Sequence, residues 1–213
     1  MGTMSSTGTD VERDVCAGAP LIAALVLTGG RSLRMGRDKA TARLGGVSLV
    51  DLVLAGLADV PVVIVGPPIP SARADATFVR ESPEGSGPCA AIVAGAAAVD
   101  RPIVAVIATD LPYGAPTARD AARRLALAGD DVDAVLPIDD EGVAQPLCAA
   151  YRTEAVLRFA RETGSVSGLS VRTMVAALRV VTWRPEGVDD ALRDLDRPED
   201  LRAARARVST RSG

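Results

Sequence analysis

A glycine pair followed by spaced cations is the first stretch of this sequence equipped for chemistry. Leu27-Thr28-Gly29-Gly30 runs into Arg31, Arg34, Arg37 and Lys39. Gly29 and Gly30 let the backbone turn sharply and bring its N–H groups close to an anion. Arginine grips phosphate oxygens bidentately, whereas lysine acts as a mobile point charge. Together they suit the several negative charges of a nucleoside triphosphate. The loop is not a Walker A sequence: five residues separate Gly30 from Gly36, and Arg-Asp-Lys follows in place of Lys-Ser/Thr. Nor does it fit the dinucleotide pattern G-x-G-x-x-G. By itself the stretch reads equally well as a basic surface turn.

The second chemical candidate is Asp110, in "VIATDLPY", which follows an apolar run and precedes a proline. A carboxylate there serves either as a turn or cap residue or as a metal ligand. The chain has no histidine, which excludes His-based triads and His metal sites. Cys16, Cys89 and Cys148 lie far apart with no C-x-x-C pair, so neither a zinc site nor a disulfide framework is expected. Any metal would be hard and oxygen-liganded, with Mg²⁺ the natural candidate.

Composition narrows the partners. Two Phe, two Tyr and one Trp leave little for stacking on bases, and a net charge of −3 opposes nucleic-acid binding. No apolar run approaches the ~20 residues of a membrane span. The flank before Pro20 is acidic (Asp10, Glu12, Asp14), unlike a signal peptide. The expectation is a cytoplasmic protein with a disordered tail over 1–18 and one domain over 19–208.

These residues must be positioned by an alternating pattern of elements. Short apolar runs at 21–27, 61–66 and 102–108 read as strands buried on both faces. Helices are predicted over 48–59, 88–99 and 116–128. Strands at 132–137 and 145–151, helices over 153–162 and 169–178, and a strand at 179–184 follow, with a final helix from about Pro198. Alternation of this kind implies right-handed βαβ units and a mostly parallel sheet in three layers, a single-domain Rossmann-like α/β fold. Ligands of such folds sit outside the carboxyl ends of the strands, and the loops 28–39 and 109–113 both leave predicted strands there. The segments 81–88 and 164–170 look flexible, either as loops that order over substrate or as surface connections.

"LTGGRSLRMGRDKA" closely resembles the signature of the MobA-like nucleotidyltransferases, roughly L-A-G-G-x-S-x-R-M-G-x-D-K. Leu27, Gly29, Gly30, Ser32, Arg34, Met35, Gly36, Asp38 and Lys39 match, and Thr28 stands where alanine is usual. The likeness continues in order through "GSGPCAAI", "ATDLPY", "QPLCAAYR" and "LDRPEDL", covering about 21 to 207. It implies a glycosyltransferase-A-like nucleotidyltransferase using Mg²⁺. Nucleotide binding would fall to Leu27, Thr28, Gly29, Gly30, Arg31, Lys39, Gly87, Pro88 and Asp110, with Lys39, Arg34 and Asp110 catalytic. Asp110 would bind the metal. Asp196, where asparagine is usual, is a second metal ligand near the acceptor or a cap for the helix opening at Pro198. Gln145 and Pro146 would lie on the acceptor side, or simply start a strand.

Glu81 and Glu84 are candidates for an acidic residue ahead of the Gly87-Pro88 turn, and Ala91 replaces a usual glycine. Gly29-Gly30 falls on the guanylyl side of the family, since cytidylyl relatives usually read L-A-A-G. Thr28 has a hydroxyl near the base if it points inward. The favoured substrates are GTP and the molybdenum-bearing pterin cofactor, with transient cofactor-delivery proteins as partners. The alternatives are a cytidylyl or other transfer to the pterin or a sugar or polyol phosphate, and a non-catalytic nucleotide-binding regulatory module.

Overall fold

Runs rich in Val, Ile, Leu and Ala, with no charge for six or so residues, have no polar face to give to water. They become the middle of a sheet covered on both sides. The computed structural model describes residues 21–29, 43–44, 46–69, 73–186 and 192. Its strands are β1 (Ile22–Leu27), β2 (Arg43–Leu44), β3 (Val47–Ser48), β4 (Val62–Val65), β5 (Thr77–Val79), β6 (Ile103–Ala108), β7 (Ala134–Pro137), β8 (Cys148–Arg152) and β9 (Val180–Trp183). Seven of them form one sheet in the order β5-β4-β1-β6-β8-β7-β9, while β2 and β3 pair as a separate small hairpin. All seven run parallel except β8, which is antiparallel to both its neighbours.

Alternate residues of each strand feed two cores. Ala24, Val26, Ile64, Ala105 and Ile107 face one layer, which contains α1 (Leu49–Ala55) and α3 (Ala115–Leu127). Leu25, Leu27, Val65, Val104 and Val106 face the other, which contains α2 (Pro88–Ala97), α4 (Thr153–Thr163) and α5 (Val171–Ala176). This is the three-layer, mostly parallel α/β arrangement expected. Among the described residues, no helix is long and apolar enough to cross a membrane.

Local chemistry sets the helix ends. The Ser48 hydroxyl accepts from the Asp51 N–H at 3.2 Å and donates to the Asp51 carboxylate at 2.6 Å, opening α1. The helix ends at Ala55, and the capping Gly56 packs against α3, where a Cβ would lie 2.7 Å from that of Ala115. It stops short of the predicted residue 59. Pro88 sits in the first turn of α2, where no N–H is needed. Arg152 closes α3 from outside, its guanidinium reaching the carbonyls of Ala128 at 3.1 Å and Gly129 at 3.0 Å.

Three features depart from the sequence expectation. β5 and the β2–β3 hairpin are too short to show a period. The strand predicted at 145–151 starts only at Cys148. Before it, the Gln145 N–H reaches back to the Pro137 carbonyl at 2.9 Å, and Pro146 has no N–H for a ladder. The tail over 1–18 and the helix from Pro198 lie outside the described residues.

At the edge where β7 begins, Asp133 is 2% exposed. Its carboxylate accepts from the Arg179 backbone N–H at 3.0 Å, from Arg179 Nε at 2.9 Å and from Arg158 at 3.2 Å. The Arg179 side chain foremost, then its backbone N–H and Arg158, hold this carboxyl far below the ordinary carboxylate range. A depressed folded-state value stabilises the fold above the unfolded value, near 3.9, and the contribution fades as pH falls through the folded one. Asp133→Asn is expected to cost about 2 kcal/mol at pH 7. The gap to wild type should hold down to about pH 4 and close below it, read by denaturant unfolding across pH.

Candidate functional site

Three parallel strand ends and the start of the antiparallel β8 make one edge of the sheet. Leu27 of β1 is paired with Val65 of β4 and with Ala108 of β6. The chain then leaves each strand one residue later, at Thr28, Gly66 and Thr109. β4 and β5 lie to one side of β1 and β6 lies to the other, so this is the point where the chain's direction across the sheet reverses. Open α/β sheets form their binding crevice at such a point.

Thr28 is held from within the sheet. Its N–H donates to the Val65 carbonyl at 3.0 Å and its hydroxyl to the same oxygen at 3.2 Å. The residue is 5% exposed. The hydroxyl is therefore turned back into the sheet. Gly66 makes room for it: with φ at +147°, a Cβ here would lie 2.2 Å from the Thr28 hydroxyl and 3.2 Å from the Gly29 nitrogen. On the other flank, the Thr109 N–H donates to the Leu27 carbonyl at 3.1 Å, and its hydroxyl reaches the same oxygen at 3.3 Å. Gly29 emerges exposed from this frame, and among the described residues a Cβ on it would meet nothing within 4 Å. Asp110 emerges beside it, partly exposed.

The antiparallel β8 brings a further pair to the same edge. Ile107 pairs with Cys148, and the Ala108 N–H donates to the Leu147 carbonyl at 2.9 Å. Gln145 and Pro146 therefore enter β8 beside the exit of Thr109 and Asp110. The Pro146 carbonyl accepts from the Tyr151 hydroxyl at 2.7 Å. Burial pushes the Tyr151 phenol well above its usual range, so it stays a neutral donor.

The 81–88 segment arrives from β5, whose Val79 carbonyl accepts from the Gly66 N–H at 2.9 Å. It is not a loose loop. Ser86 is buried, its carbonyl accepts from the Gly168 N–H at 2.8 Å, and its hydroxyl meets that of Ser167 at 3.0 Å. The two segments that look flexible in sequence are thus cross-braced to each other. Gly87, with φ at +94° and ψ at 174°, opens α2 in a conformation only glycine adopts readily. Glu81 accepts from the Gly85 N–H at 3.0 Å, and Glu84 pairs with Arg80 on the surface. Both acids are engaged within this turn.

Of the residues singled out in sequence, Leu27, Thr28, Gly29, Asp110, Gln145 and Pro146 are brought to one edge, with Gly87 and Pro88 opening the helix after β5. Gly30, Arg31, Arg34, Lys39 and Asp196 lie outside the described residues. Sequence reasoning missed Gly66, Ser86 and Thr109. Only the "GPP" after β4 gave a signal, and it was legible simply as a strand terminus.

The carboxylate at the exit of β6 is that of Asp110. Among the described residues, no group of three or more Cys, Asp or Glu side chains is placed to hold a metal ion. A single partly exposed carboxylate at the mouth of the edge still suits Mg²⁺, which commonly takes one or two carboxylates and completes its shell with phosphate and water.

Residues 24–180 match the family model described as the MobA-like NTP transferase domain. The chain is 28% identical over 204 residues to a probable molybdenum cofactor guanylyltransferase of Natronomonas pharaonis, covering 87% of this chain and 97% of that one. It is 34% identical over 177 residues to one of Mycobacterium tuberculosis, covering 75% and 83%. Among solved structures it is similar to molybdopterin-guanine dinucleotide biosynthesis protein A of Archaeoglobus fulgidus, with a TM-score of 0.70, 24% identity and coverage of 88% and 99%. It also shares its fold with the 2-C-methyl-D-erythritol 4-phosphate cytidylyltransferase of Thermus thermophilus, at a TM-score of 0.62, 18% identity and coverage of 87% and 98%.

The contact between residues 28 and 66 is directly testable. Thr28→Ala removes one buried hydrogen bond and should cost about 1 kcal/mol. Gly66→Ala should cost more, because its Cβ collides with the hydroxyl. In the double variant the collision with the hydroxyl is gone while the approach to the Gly29 nitrogen and the positive φ remain, so its loss should be smaller than the sum of the two single losses but still exceed that of Thr28→Ala. Strict additivity in denaturant unfolding would mean that the two side chains do not share this space.

Proposed function

Because this chain belongs to the MobA-like NTP transferase family, we propose that it moves GMP from GTP to the terminal phosphate of molybdenum-bearing molybdopterin, with Mg²⁺ and release of pyrophosphate. The observation that carries the reading is the shared edge. Gly29 and Asp110 leave adjacent strands at the crossover point, with Gln145 and Pro146 entering beside them. The names of the relatives from Natronomonas and Mycobacterium supply the guanylyl direction.

In this reaction an acceptor phosphate oxygen bonds to the α-phosphorus of GTP. The bond from that phosphorus to the bridging oxygen breaks, and pyrophosphate leaves with its electron pair. The nucleophile is already an anion, so no general base is required, in keeping with a chain that has no histidine. The protein's task is positioning and charge stabilisation. Gly29 and Gly30 would offer backbone N–H groups to the phosphates, and the charges of Lys39 and Arg34 would offset the charge that grows on the α-phosphoryl oxygens. Asp110 would hold Mg²⁺, which when bound offsets charge on the phosphates and on departing pyrophosphate. Thr28 supports the exit of β1 from within the sheet, since its N–H and its hydroxyl are both engaged by Val65.

Lys39→Ala should lower turnover by ~10²–10³ while weakening nucleotide binding much less, because the charge matters most at the pentacoordinate phosphorus. Asp110→Asn should stay folded and lose Mg²⁺-dependent activity. Normal turnover of the lysine variant at saturating GTP, or an unchanged Mg²⁺ response of the aspartate variant, would remove that residue from the machinery.

Pyrophosphate release across a panel of nucleotides tests the guanylyl assignment. GTP should be preferred over CTP and ATP by at least ~10-fold in kcat/KM. Gly29→Ala should narrow that gap without unfolding the chain, since its methyl meets no atom of the described residues beyond its chain neighbours within 4 Å. Equal use of CTP would overturn GTP as the substrate and leave nucleotidyl transfer standing.

A further inference from the structure

The turn between β7 and β8 contains a carboxylate that the reaction above does not use. Asp139 Oδ1 accepts from the backbone N–H groups of Glu141 at 3.0 Å and Val143 at 2.8 Å. Asp139 Oδ2 accepts from the side-chain amide nitrogen of Gln145 at 2.7 Å. The turn itself is anchored independently. Asp139 N–H donates to the Val143 carbonyl at 3.0 Å, Gly142 N–H to the Asp139 carbonyl at 3.0 Å, and Ile138 N–H to the Trp183 carbonyl of β9 at 2.9 Å.

A primary amide can face a neighbour with its oxygen or with its NH₂, and the two choices offer a ligand opposite chemistry. An ionised carboxylate accepts only, so it admits just one of them. The Val143 N–H foremost, then the Gln145 amide and the Glu141 N–H, hold the Asp139 carboxyl below its usual range, so it remains an acceptor. With the Gln145 nitrogen turned to Asp139, its carbonyl oxygen lies on the far side of the amide. Backbone bonds fix the residue at both ends, from the Gln145 N–H to the Pro137 carbonyl at 2.9 Å and from the Cys148 N–H to the Gln145 carbonyl at 3.1 Å.

We propose that Asp139 is a positioning residue. By holding the Gln145 amide nitrogen it makes this side chain present a carbonyl oxygen to the acceptor substrate, selecting an N–H or O–H donor on that molecule and not its phosphate. A phosphate, itself an acceptor, would be repelled by this oxygen. The donor belongs to the body of the acceptor, so Gln145 orients the molecule while its phosphate reaches the α-phosphorus. This rests on the reading that Gln145 lies on the acceptor side.

Asp139→Asn separates the two functions of the carboxylate. The remaining carbonyl oxygen still accepts the two backbone N–H groups, but an NH₂ now opposes the Gln145 NH₂. Two donors cannot share that contact, so the Gln145 amide turns over. With the full chain, GTP, Mg²⁺ and molybdenum–molybdopterin, the expected result is about a tenfold rise in KM for the pterin acceptor. KM for GTP and the thermal midpoint should stay near wild type. Adding Gln145→Glu should recover most of the loss, since one carboxylate oxygen accepts from the amide introduced at position 139 and the other faces outward.

Gln145→Leu, which leaves Asp139 and its turn intact, should raise the acceptor KM similarly. An unchanged acceptor KM in Asp139→Asn or in Gln145→Leu would overturn the positioning role while leaving guanylyl transfer in place. So would a joint rise in both KM values that Gln145→Glu does not correct. Absence of turnover in the wild-type chain with these substrates would overturn the guanylyl reading, and the positioning role with it.

Discussion

The interaction on which the rest depends is the tie between the ends of three strands. One carbonyl oxygen of Val65 takes both the N–H and the hydroxyl of Thr28, and one carbonyl oxygen of Leu27 takes both donors of Thr109. Each bond contributes only about 1 kcal/mol net, but a buried donor left without a partner costs up to about 3 kcal/mol. Both threonines are buried, so neither can release its partner into water. Loop backbone at 29 and carboxylate at 110 consequently leave a rigid edge and not a pair of independent turns.

Reversal of a single strand decides what else reaches this edge. Had β8 run parallel like its neighbours, its start would lie at the opposite end of the sheet and Gln145 with it. Because it is antiparallel, a short turn through Asp139 and Gly142 replaces a crossover helix. The turn can then hold a side chain at the same edge as Asp110. The opposite end of β7 is closed by the Asp133 cluster with Arg158 and Arg179. Charge at that end serves the fold.

The helical layers show a similar division of labour. α2 sits close on the sheet because Gly95 has no side chain, where a Cβ would lie 2.9 Å from Leu25 and 3.0 Å from Val65. Its first turn is held by the Ser86–Ser167 contact and the Gly168 N–H, which join two polar loops distant in sequence. This brace fixes the direction of the helix N-terminus, and with it the partial positive charge of its free N–H groups.

Sequence alone determined the things that depend on residue type and short spacing. Buried strands announce themselves at 22–27 and 103–108 because unbroken apolar runs have no other stable home. A glycine pair before spaced cations suits an anion and equally a basic surface turn, and only the resemblance to a family tips that balance, while the absence of histidine removes whole classes of catalysis. Tertiary structure decided what depends on approach between distant segments. The direction of Thr28 was not legible, because it is set by the missing Cβ of Gly66, far away along the chain. The stiffness of 81–88 was hidden for the same reason, since serine and glycine look flexible until a second loop supplies partners. The orientation of the Gln145 amide is fixed by an acceptor-only carboxylate six residues earlier. A hydrogen bond has a direction in space, and spacing along a chain carries none.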